Sequence, residues 1–181
     1  MAISNINSLS LAGAGAPGLS LVATATASDA ASVSINNCFT SAYDNYLVTV
    51  VISMSSVTNH GIRMRVGGTD STAASYQQQG LYSGSTTVSG GRSTNQTSWQ
   101  IFNNDTTDEY AATVHIFGPQ TATTTKGTSA QERNGATTSI AFYNTTFGFA
   151  ATTQFDGFTI FPGSGTITTP TDGIRVYGLK N

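Results

Sequence analysis

From residue 19 onward, apolar and polar residues alternate with a period of two in run after run. In Tyr46–Ser53, Tyr46, Val48, Val50 and Ile52 fall on one side, and Leu47, Thr49, Val51 and Ser53 on the other. That is the pattern of a strand whose side chains point alternately to two faces of a sheet. Ile62, Met64 and Val66 alternate with Arg63 and Arg65, and Ala112, Val114 and Ile116 with Thr113 and His115. Further strands are predicted at 19–26, 31–36, 76–83, 97–102, 138–143, 155–161 and 173–179. Turn residues punctuate them: Asn59-His60-Gly61, Gly67-Gly68, Ser89-Gly90-Gly91, Asn103-Asn104-Asp105, Gly163-Ser164-Gly165 and Asp172-Gly173. No segment carries a capped helical stripe, and the β-branched content argues against one. About ten short strands at this spacing predict an all-β chain, an antiparallel β-sandwich or jelly roll.

Two regions escape the pattern. Residues 1–18 end in the hinge composition Ala12-Gly13-Ala14-Gly15-Ala16-Pro17-Gly18, with Ile3, Ile6, Leu9 and Leu11 as the only apolar anchors ahead of it. They read as a short flexible N-terminal arm, either a frayed end or a strap that docks on a neighbour through Ile3, Ile6 and Leu9. Residues 19–181 then form the sandwich domain. Inside it, 120–137 is the least patterned stretch, a weak edge strand or an exposed loop, and a candidate contact surface.

Composition sharpens the picture. Charged residues are 9% of the 181, hydrophobic ones 38%, and Ser with Thr exceed a quarter. The apolar share suffices for one core, while a surface so poor in charge gives little protection against association. The net charge of −2 comes with seven Lys and Arg and no basic cluster, which leaves nucleic-acid binding without an electrostatic footprint. No apolar run is long enough for a transmembrane helix, and no secretion signal is visible. Cys38 is the only cysteine, so no intrachain disulfide is available and folding in a reducing cytoplasm is expected.

Cys38-Phe39-Thr40-Ser41-Ala42-Tyr43-Asp44-Asn45-Tyr46 is similar to F-S-x-x-Y-D-N-Y, and with three further segments it resembles a group of virion proteins from marine and cyanobacterial tailed phages that opens on that motif. Gly61-Ile62-Arg63-Met64-Arg65-Val66-Gly67-Gly68 looks like its I-R-L-R strand, Tyr76-Gln77-Gln78 like the tyrosine-rich segment that follows, and Thr171-Asp172-Gly173-Ile174-Arg175-Val176-Tyr177-Gly178-Leu179-Lys180-Asn181 like its G-x-I-R-V-Y-G closing strand. The resemblance implies a β-sandwich on the virion, as capsid decoration or tail-fibre head, and carries over no catalytic residue.

Candidate chemistry is sparse. His60 sits in a turn and His115 on a strand face, without the spacing of a triad or a metal site, and both read as solvated histidines. Asp105, Asp108 and Glu109 beside Asn103 and Asn104 could hold a calcium ion but also make an ordinary turn. Trp99 shares a face with Ile101 and reads as core, whereas Tyr76 and Tyr82 are candidates for stacking on a glycan ring. Arg63 and Arg65, on the outward face of one strand, could pair with acids of a neighbour or simply guard an edge.

No enzyme, cofactor or metal is expected, and neither is a nucleic-acid or membrane partner. The leading expectation is a capsid decoration or cement protein, a homo-oligomer (a trimer) that clamps the major capsid protein or other virion proteins through distributed contacts after assembly in the host cytoplasm. The alternative is the receptor-binding head of a tail fibre that reads a host surface glycan.

Overall fold

The computed structural model describes residues 18–56, 59–83, 86–102, 109–134 and 140–179. Ile3, Ile6 and Leu9, and Asp105 and Asp108, lie outside these segments. Among the described residues there are fourteen strands and no helix. In chain order they are β1 (Leu19–Ala25), β2 (Val33–Ile35), β3 (Asn45–Met54), β4 (His60–Val66), β5 (Thr69–Asp70), β6 (Tyr76–Ser83) and β7 (Ser89–Gln96). Then come β8 (Trp99–Phe102), β9 (Tyr110–Phe117), β10 (Lys126–Asn134), β11 (Ile140–Phe149), β12 (Gly157–Pro162), β13 (Ile167–Thr168) and β14 (Ile174–Leu179).

They form the antiparallel sandwich that the alternation predicts. The large sheet runs β1-β14-β3-β9-β10-β11-β6-β7, with β13 also paired to β3. The small sheet runs β2-β12-β4-β5, with β8 also paired to β4. Between them lies one apolar core. Tyr46, Val48, Val50, Ile52 and Met54 of β3, with Val114 and Ile116 of β9, face Ile62 and Met64 of β4 and Phe158 and Ile160 of β12. Each such side chain, fully buried, stabilises the fold by roughly 1.5–3 kcal/mol.

Two buried tyrosines tie turns to this core. The Tyr46 hydroxyl accepts from the Thr40 amide at 2.7 Å and donates to the Thr40 carbonyl at 2.8 Å. The Tyr76 hydroxyl accepts from the Met64 amide at 3.0 Å and donates to the Ser71 carbonyl at 2.8 Å. Each phenol thereby satisfies backbone groups a few residues upstream, as in a tyrosine corner.

The stretch 120–137 needs correcting. It contains β10, which is neither an edge strand nor a loop but runs in the middle of the large sheet, between β9 and β11. The inward positions of β10 are Gly127, Ser129 and Gln131, all buried, so the strand lacks the apolar beat of its neighbours. Gly127 has a steric reason. A Cβ there would lie 2.2 Å from the Phe147 ring and 2.4 Å from the His115 carbonyl. The aromatic ring of the paired residue on β11 fills the space the glycine leaves.

Candidate functional site

The residues singled out from sequence separate into spent and unspent groups. Arg65 is spent. Its guanidinium bridges Asp70, the Gly68 carbonyl, Asn36 (2.8 Å), Ser34 (3.0 Å) and Thr159 (2.6 Å) across the outer face of the small sheet. Thr159 donates in turn to Asp70 at 2.7 Å. Arg63 lies over the Phe161 ring, 4.2 Å from its centre, and its Nε donates to the Thr97 carbonyl. The expectation that these two arginines guard an edge is therefore corrected. β4 is flanked by β12 on one side and by β5 and β8 on the other, and both side chains are used inside the chain.

Tyr76 is likewise corrected. It is fully buried, edge-on to Trp99 and Phe149, so its ring is closed to a glycan. Tyr82 remains accessible and stacks on Tyr143 with ring centres 5.6 Å apart. Trp99 is in the core as expected, its indole N–H donating to the Gly148 carbonyl at 3.0 Å.

The two histidines part company. His60 is not a solvated turn residue. It opens β4 and is 1% exposed, and burial pushes its pKa down to about 4, which keeps it neutral. His115 is exposed on the outer face of β9. Cys38 is buried and its thiol is pushed up to about 12, chiefly by desolvation, so it carries no thiolate at neutral pH. Glu109 is exposed, and no group of three potential metal ligands occurs among the described residues.

What the sequence did not reveal is a trough on the outer face of the large sheet. Strand register lines up two parallel rows of side chains across β9, β10, β11, β6 and β7. One row is His115, Thr128, Thr146, Gln79 and Arg92, and the other Thr113, Ala130, Asn144, Leu81 and Gly90. Together they line a cavity of about 790 Å³. Five strands about 4.8 Å apart make it about 19 Å long. Its lining holds one arginine, one histidine and no carboxylate. The side chains of Gln79, Arg92, Thr113, Thr128 and Asn144 have no hydrogen-bond or ion-pair partner among the described residues. The arrangement can hydrogen-bond, hold an anion at Arg92 and offer apolar contact at Leu81 and Ala130.

An apolar patch lies on the other half of the same face, beside the row of Thr24, Arg175 and Thr49. Leu19 is paired with Leu179, Leu21 with Tyr177, and Tyr177 with Leu47, while Phe117 stands two strands from Leu179 on the same row. Leu19, Leu21 and Phe117 are 53%, 58% and 39% exposed, far more than a side chain in the interior. Among the described residues, both end strands, β1 and β7, have one unpaired edge. Comparison of the chain with protein-family models, with curated proteins and with solved structures gives no match.

Proposed function

We propose that the protein is a non-enzymatic structural component of a tailed-phage particle, a capsid decoration or cement protein that works by area burial. The observation that carries this reading is the apolar patch of Leu19, Leu21, Leu47, Phe117 and Tyr177 beside the open edge of β1. Contiguous exposed apolar surface of this kind is costly in water and marks a protein contact. The patch adjoins Leu19, where the arm enters the sandwich, so strap and patch can grip one neighbour. Its partners are then copies of this chain, as a trimer, and the major capsid protein or other virion proteins. Contact is distributed, so no single polar side chain is indispensable.

The test is to image particles carrying Leu19→Asp with Leu21→Asp beside wild-type particles, and to heat both. The reading expects many copies over the wild-type shell, loss of the protein from variant particles, and earlier heat inactivation. Copies confined to the tail overturn it. That outcome favours the second reading, a glycan-binding head of a tail fibre, which the hydroxyl- and amide-lined trough supports.

A further inference from the structure

We infer that the trough across β9, β10, β11, β6 and β7 is a binding site for an extended acidic oligosaccharide, with Arg92 holding a carboxylate of the sugar chain. The inference rests on the glycan-reading alternative above for its class of ligand.

Three observations carry it. The first is shape: an open trough about 19 Å long suits a chain lying across the strands better than a compact metabolite. The second is chemistry. Thr113, Thr128, Asn144 and Gln79 present hydroxyls and amides that no described residue engages. Such groups donate and accept, as sugar hydroxyls do. Leu81, 55% exposed, and Ala130 offer apolar contact to the carbon faces of the rings.

The third is charge. The lining has no carboxylate, and Arg92, without a partner among the described residues, stands at one end of its row with His115 at the other. Lys126 and Arg175 share this outer face by register, so three of the seven Lys and Arg of an acidic chain gather on it. An arginine matches a carboxylate with two parallel donors, which gives direction as well as strength.

A nucleic acid fits less well. The trough lining contains no Phe, Tyr or Trp on which bases could stack, only the His115 imidazole at one end, and a single lining arginine neutralises few phosphates.

The experiment uses the full chain in solution and needs no virus particle, so its failure and the failure of the particle assignment are told apart. Amide chemical shifts are followed while tetragalacturonate, its methyl ester, a sulfated disaccharide, a neutral cello-oligosaccharide and a thymidine octanucleotide are added in turn. Expected is saturable binding of an acidic sugar, with shifts centred on Thr128, Asn144 and Gln79. Arg92→Gln should weaken it by about tenfold, the size of a lost charge-assisted pair, and esterification should do the same. Ala130→Phe, at an exposed strand position that tolerates an aromatic, should block binding while the melting temperature holds. Failure of every acidic sugar to saturate overturns the inference. So does equal binding by Arg92→Gln and by Ala130→Phe, equal binding of the neutral chain or the ester, or octanucleotide binding as tight as that of the sugar.

Discussion

The outer faces of the two sheets are both rich in polar side chains, yet they differ in what those side chains have left to offer. On the small sheet, Arg65 gathers Asp70, Ser34, Asn36, Thr159 and the Gly68 carbonyl into one network, and Arg63 caps Phe161. On the large sheet, Arg92, Thr113, Thr128 and Asn144 have no described partner. The first face spends its donors on holding the fold, and the second leaves them unengaged among the described residues. Polarity alone does not distinguish a binding face from a structural one. The distinction lies in whether hydrogen-bonding capacity is already used.

The contrast can be broken by acid before any mutation. His60, behind the small sheet's face, has a folded pKa lowered to about 4 from 6.5 by burial. Between those values the unfolded chain takes up a proton that the folded chain refuses. The His60 contribution is thus fully present above pH 6.5, falls as pH drops toward 4, and amounts to about 3 kcal/mol at most. Urea unfolding across that range should show the loss, and His60→Asn should flatten this part of the slope.

Next in size, Arg65→Ala should cost about 2–3 kcal/mol in the same measurement, because it leaves Asp70 with the Thr159 hydroxyl in place of an ion pair and breaks a charged network. Phe161→Leu should cost about 1 kcal/mol, from the lost cation–π contact and the uncovered Gly61, beside which the ring lies. The smallest effects belong to the open face: Arg92→Ala and Thr128→Ala should each stay within about 0.5 kcal/mol. A large loss at either would mean that the trough is structural after all.

Most of the strand layout was legible because the core is built from large side chains at alternate positions. The predicted limits of β6 match, and those of β3, β9 and β14 fall within two residues. The strands that escaped lack that signal. β7 reads Ser-Gly-Gly-Arg-Ser-Thr-Asn-Gln, with no apolar residue, and β5 and β13 are two residues each. In β10 the aromatic ring comes from β11, so the strand itself shows only Gly127 where a hydrophobic side chain would be expected. The trough was invisible for a different reason. It takes every second residue from five strands, and only their register places His115 and Arg92 on one row. Tyr76 shows the reverse error: read as a candidate for stacking on a glycan, it is buried, and its hydroxyl has partners inside.

The placement of Trp99 sets what can be seen in a cuvette. The protein's single tryptophan is sealed between the sheets against Phe147 and Tyr76. Its emission should be blue-shifted in the native protein and should move to the red when the sandwich opens, a clean optical gauge of unfolding. The same seclusion makes that signal deaf to events on the outer face. A ligand seated beside Arg92 would leave the fluorescence dark to its arrival, so binding has to be read by amides, heat or mass rather than by light.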